Sequence, residues 1–294
     1  MKFQKPALTW ENQAQLLLDR GLIADKDKLI CCLESVNYYR LSSYFHPFKN
    51  QNDNFRSGTT LNQIWKRYTF DRRLRLIVLD AIERFEISVK TRLSYQIAHK
   101  LGPFGYTIKT NYPYVNRVKF TKMIDIIQRE VTRTKEHFVI NYFQQYKEKY
   151  LPIWKATEVT SFGSILTLYR NIEKDVRQKV SGFYKVDEEV LLSWINAIHS
   201  IRNICAHHAR LWNRVLGVKP QIPDFKNSPE FHHPINIKND RIFGILTILK
   251  YLLNIIAPQS FWDYRLRELF KEYPDIPKYN MGIPENWNDC PIWK

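Results

Sequence analysis

The chain has 294 residues, of which 44% are hydrophobic and 14% aromatic, and a formal net charge of +16. That is enough apolar material for a packed core, and the charge points to a polyanionic partner, either nucleic acid or an anionic surface. The four cysteines, Cys31, Cys32, Cys205 and Cys290, form no Cys-x-x-Cys pair and have no His at ligand spacing, which argues against a zinc site or a disulfide framework; no metal and no cofactor is expected. The opening MKFQKPALTW lacks the apolar run of a signal peptide. Ile242 to Ala257, the longest apolar stretch, is too short to span a bilayer comfortably, so a cytoplasmic protein without a membrane partner is expected. Glycine is scarce and apolar residues recur with helical rather than alternating period, which predicts an all-α fold.

Asn12 to Arg20 and Asp25 to Ser35 read as two short helices divided by Gly21, a helical hairpin. A DNA-reading role for that hairpin is weak, because DKDKLICCLES offers few side chains for base edges. Tyr38-Tyr39-Arg40-Leu41 and Phe45 form an aromatic connector ahead of a polar loop, Asn50 to Thr60. Leu61 to Lys100 is a long helix with Leu74, Ile77, Val78, Ala81, Ile82, Phe85, Val89 and Leu93 on one side. From Lys66 to Lys100 there are nine Lys or Arg against four acids, and the Arg72, Arg73 and Arg75 cluster is a candidate RNA-binding surface. Glu83 and Glu86 are expected to pair with Arg84 and Lys90 on the surface; either one facing the central site would orient a side chain there. Asn116 to Tyr150 resumes helical character with a second basic excess. Ala156 to Ile172 is read as one helix in which Gly163 permits a close helix contact, with Glu158 as an acid of unassigned role. Two further helices, Ile242 to Ala257 and Phe261 to Tyr273, precede a Pro- and Trp-rich tail.

The chemistry concentrates between Leu191 and Gly217, LLSWINAIHSIRNICAHHARLWNRVLG, read as one helix. Leu191, Trp194, Ile198, Ile201, Cys205, His208, Trp212 and Val215 recur at steps of three and four, which predicts a buried seam with His208 in a structural role. The opposite face carries Asn196, His199, Arg202, Asn203, His207, Arg210 and Asn213. From Val190 to Val218 there is no Lys, Asp or Glu; imidazole, guanidinium and amide groups replace them, suited to holding an anion and to moving protons near neutral pH.

Arg202-Asn203-Ile204-Cys205-Ala206-His207 fits Arg-x4-His and resembles the active motif of the HEPN superfamily of helical ribonucleases. The chain is similar over most of its length to the Abi-like proteins of the AbiD/AbiF abortive-infection family. The matching stretches are Arg20-Gly21-Leu22, Tyr38 to Ser42, Phe70-Asp71 with Leu74-Arg75, Pro152 with Trp154, Glu158, Phe162 and Gly163, Arg202 to Asn213, and Met281 to Pro284 followed by Trp287, Pro291 and Trp293. The resemblance implies a HEPN-like bundle over 61–273 with a basic helical insertion near 107–150, preceded by the hairpin unit 1–60 and followed by an irregular tail, 274–294. It implies a metal-independent endoribonuclease acting in phage defence as a toxin. Arg202, Asn203 and His207 would be catalytic; Arg210, His199 and Asn213, with Arg72, Arg73 and Arg75, would bind RNA. Cleavage needs a base and an acid, and one His207 cannot be both at once, so a homodimer with a composite cleft is expected. An RNA or a protein antitoxin is a further expected partner. The alternative is a non-catalytic protein that uses the same face to grip RNA or another helix bundle.

Overall fold

The computed structural model describes residue 4 and residues 6–294; the reading of the first residues as lacking a leader, and part of the 1–60 unit, falls outside them. Among the described residues the regular structure is twelve α-helices and several short 3-10 helices, and no strand exceeds an isolated bridge. The all-α expectation is met.

The hairpin consists of α1 (Trp10–Asp19), capped by the Thr9 hydroxyl, and α2 (Lys26–Val36), capped by the Asp25 carboxylate. A short helix, α3 (Tyr38–Ser42), follows. The Asn50–Thr60 loop is tied back to the hairpin by backbone bonds from Phe55 N–H to the Arg20 carbonyl and from Ile23 N–H to the Thr59 carbonyl. The spine of the molecule is α4 (Leu61–Leu101), 41 residues long and opened by a Thr60–Gln63 capping box. Its buried stripe runs from Ile64 through Leu74, Val78, Phe85 and Val89 to Ile97. Around it pack α7 (Ile153–Val159), α8 (Phe162–Asn171), α9 (Lys174–Phe183), α10 (Glu188–Ala206), α11 (Ile242–Ile256) and α12 (Trp262–Glu272). The basic stretch forms α5 (Arg117–Arg133) and α6 (His137–Gln145), with α5 against α7 and α8. The tail closes over α11 and α12: Trp293 stacks on Phe243 and Trp262, and its indole N–H donates to the Thr247 hydroxyl.

Three helix boundaries differ from the sequence reading. Ala156 to Ile172 is two helices, because Ser161 turns extended and its hydroxyl caps α8. The sequence reading contains no counterpart of α9: its buried positions are Val176, Arg177, Val180 and Ser181, too few apolar residues to show a period. Most important, the stretch from Leu191 to Gly217 is not one helix, since α10 stops at Ala206.

Candidate active site

The end of α10 is a Schellman turn. The His208 N–H bonds the Cys205 carbonyl at 3.0 Å and the Ala209 N–H bonds the Ile204 carbonyl at 2.9 Å, with His208 in the left-handed region at φ 57°. Glycine usually holds that position, and histidine is among the few side chains tolerated there. His207 caps the helix, so both imidazoles leave the helical register, and both are exposed. The expected seam therefore ends at Cys205, which is buried. His208 is not a core residue, and Val215 is exposed, whereas Trp212 reaches the core by another route.

That route is a clamp on the backbone. Asp71 of α4 is fully buried; its carboxylate accepts the Trp212 N–H at 2.6 Å, the Leu211 N–H at 3.1 Å and the Tyr44 hydroxyl, and it pairs with Arg75 one turn along. Arg75 also donates to the Ala209 carbonyl, and Arg40 of α3 donates to the His208 carbonyl. Burial pushes the Asp71 carboxyl above its ordinary value against the pull of Arg75, Tyr44 and the two N–H groups, and it lifts the neighbouring Cys205 thiol to about 12. Two distant stretches of chain, α3 with the turn after it and α4, thus fix the backbone from His208 to Trp212.

His207 and His208 open onto a groove of about 780 Å³ whose wall also includes Tyr39, Arg40, Ser42, His46, Arg210 and Arg214. No carboxylate lines it. Arg210 donates to the Asn213 carbonyl at 3.1 Å, and its own carbonyl accepts from Arg214; burial first, then the Arg214 charge, hold its guanidinium below the usual range. Asn213 sits in the left-handed region at φ 54° and takes a bond from Arg241, so it is a turn residue and not part of a helix face.

Arg202 faces elsewhere. It lines a second groove along α4 with Leu76, Leu79, Asp80, Glu83, Glu86 and Ile87. Asn203 has its amide nitrogen 3.3 Å from His199 Nε2, and its oxygen accepts from Arg202 at 3.5 Å. Burial, and then the positive charge of Arg202, keep His199 below its ordinary value, with Glu86 opposing. A Cβ at Gly163 would sit 3.3 Å from the His199 ring nitrogen, so this glycine admits the imidazole between α8 and α10. Glu86 pairs with Lys90 as expected, but Arg84 pairs with Asp80 and not with Glu83. Glu158 is exposed and neither holds an Arg nor caps a helix in the described residues.

The basic cluster on α4 is corrected by the structure. Arg75 is buried against Asp71 and cannot meet RNA, and Arg73 pairs with Glu272; only Arg72 stands exposed. Lys66, Arg84, Lys90 and Lys100 also meet acids, so six of the nine cations of this stretch are paired within the described residues. Arg40, His46, His208 and Arg214 take their place as the groove's polar wall. The described residues contain no group of three or more His, Cys, Asp or Glu able to hold a metal ion, and no helix among them is long and apolar enough to cross a membrane.

A family model described as Abi-like protein matches residues 31–213. The chain belongs to the Abi-like family. The matched segment begins within α2 and ends at Asn213, so it contains α3, the Asp71–Arg75 clamp, the His207–His208 turn and the lining of both grooves except Arg214. In this Abi-like chain α11, α12 and the tail lie beyond the match and pack behind α4 and α10. No significant match is found among curated proteins or solved structures.

Proposed function

We propose that this Abi-like protein is a metal-independent endoribonuclease that arrests phage-infected cells by degrading RNA in the cytoplasm. The observation that carries this reading is the turn after α10, which presents His207 and His208 to a groove lined by arginines and free of carboxylates. A ribose 2′-hydroxyl loses its proton to one imidazole, and its oxygen attacks the adjacent phosphorus. The new P–O2′ bond forms as the P–O5′ bond breaks, and the departing 5′-oxygen takes a proton from a second, protonated imidazole. The products are a 2′,3′-cyclic phosphate and a 5′-hydroxyl. Guanidinium groups at the groove stabilise the charge that builds on the phosphorane oxygens.

The two proton-transfer roles come from His207 of two copies of the chain. Leu76 and Ile87 are 55% and 56% exposed on α4, beside Arg202. Apolar side chains flanked by Arg202 and by Glu83, which makes no ion pair within the described residues, form a surface suited to its own copy across a two-fold axis. In a dimer there Arg202 sits at the seam between copies, and this reading requires the two His207 turns, at the ends of the two α10 helices, to meet across it. Asn203 orients Arg202 and His199 behind them. A protein of this activity needs silencing before infection, by an RNA or a protein antitoxin.

The deciding experiment is incubation of the purified protein with single-stranded RNA in EDTA, followed by analysis of product ends. Cleavage that leaves 2′,3′-cyclic or 3′-phosphate ends is expected. A strict magnesium requirement, or 3′-hydroxyl ends, would exclude this chemistry, and tight RNA binding without cleavage would favour a non-catalytic RNA-binding role.

A further inference from the structure

We propose that the hairpin unit at the start of the chain is the arm that holds the RNA strand, along a track running from the His207 turn across His46 to the loop carrying Arg56. This rests on the reading of the His207 groove as the site of cleavage. It assigns a new binding surface and the class of ligand it takes.

Two grooves meet at this place. The first is the one at the His207 turn; the second, of about 900 Å³, is lined by Arg20, Tyr38, Lys49, Asn50, Gln51 and Arg56, among others. Ser42 and His46 line both, so α3 and the turn after it form a shared sill and the two grooves are one path. The wall of the second groove is chemically suited to a single strand. Its one acid, Asp53, is already neutralised: Lys49 bonds it at 2.6 Å and Arg20 at 2.8 Å, and the Lys49 bond before all else holds its carboxyl below the ordinary value. Among the remaining polar groups, the Asn50 amide nitrogen and the Gln51 amide can meet base edges, and Tyr39, 78% exposed on the sill where it lines the first groove, offers a ring face for stacking.

The loop is built to keep this shape. The Asn50 side-chain oxygen accepts the N–H groups of Asn52 and Asn54, Arg56 N–H bonds the Phe48 carbonyl, and Phe55 is buried beneath. Arg20 and Lys49 have a structural explanation in their grip on Asp53. Arg56 has none: it is exposed, and its side chain makes no ion pair or hydrogen bond within the described residues, although the backbone on both sides of it is fixed. An exposed guanidinium with no protein partner, on a loop whose backbone is fixed beside a carboxylate-poor groove, can reach a phosphate that the protein itself does not supply.

The test uses the full chain carrying His207→Ala, so that RNA stays intact, and measures its affinity for labelled oligoribonucleotides of about four and about sixteen nucleotides, a span typical of single-strand binding surfaces. Adding Arg56→Glu should weaken the longer RNA by about tenfold or more and lower its salt slope by about one contact, and should change the shorter one by less than about twofold. Arg56→Lys should restore most of the affinity for the longer RNA, and Arg56→Gln should fall between. A melting temperature equal to the parent's checks that the loop survives. Equal effects on both lengths, or none on the longer, would overturn the track. Absence of cleavage by the His207 protein would instead defeat the nuclease reading, and the length dependence of binding would still stand as its own measurement.

Discussion

The Asp71 carboxylate holds the Trp212 N–H at 2.6 Å across 141 residues of chain. It is the only carboxylate contact that reaches the segment presenting His207 among the described hydrogen bonds, and it is fully buried. Asp71→Ala strands Arg75 without its partner and frees two backbone donors, and should cost about 3–5 kcal/mol. Urea unfolding measures the loss. RNA cleavage should fall further than the unfolded fraction explains, since the turn loses its anchor; a variant both stable and active would show that the clamp is dispensable.

The two histidines now separate by activity and not by stability. Both rings are exposed, so His207→Ala and His208→Ala should each unfold within about 0.5 kcal/mol of wild type. His207→Ala should lower cleavage by about a hundredfold or more, the scale of a lost proton-transfer group. His208→Gly, which suits the left-handed position, should leave stability unchanged or raised by up to about 1 kcal/mol. Thermal melts beside initial cleavage rates check all three, and an active His207→Ala protein would reject the assignment.

His199 makes stability depend on pH. Its folded value lies below 6.5, so the unfolded chain binds the proton more readily. The neutral ring's contribution is complete above 6.5 and is lost as pH falls from there toward the lowered folded value. Wild-type melting temperature should therefore drop relative to His199→Asn as the buffer is taken from about pH 7.5 to pH 5. A constant difference between the two curves would mean that the ring is freely protonated in the folded protein.

The α4 face gives a prediction about assembly. Leu76→Glu with Ile87→Glu adds like charge to two exposed apolar positions, which should convert a dimer to monomers in sedimentation experiments while each chain stays folded. Cleavage should be lost with the dimer. A monomeric wild type, or a monomeric variant with full activity, would remove the need for a second copy.

The helical class, the hairpin, the long α4 and the two closing helices were legible because apolar residues, joined in the hairpin and α4 by side-chain caps, report local structure directly. The end of α10 was not. No breaker stands between Leu191 and Gly217, and the interruption comes from outside, through a carboxylate on α4 that captures backbone groups of Leu211 and Trp212. One signal did point to it: Asp71 and Arg75 stand one turn apart on the same stripe as Leu74 and Val78, where charge is tolerated only as a pair. Counting Arg75 as part of a basic surface missed that position. His46 and Arg214 joined the site by folding alone, since nothing in their local sequence sets them apart.

The clamp grips main chain and so is nearly blind to side chains. Ala209 and Leu211 present only a carbonyl and an N–H to it, so their identities can drift as long as they fit the space around them. Length cannot. One residue added between His208 and Leu211 would shift the captured amides out of step with Asp71, and either the imidazoles would be rotated off the groove or Trp212 would be pulled from the core. The distance along the chain from the last helical residue to Trp212 is therefore the quantity this site holds constant, much as a reading frame is held, and the clamp itself asks nothing of side-chain identity beyond fit.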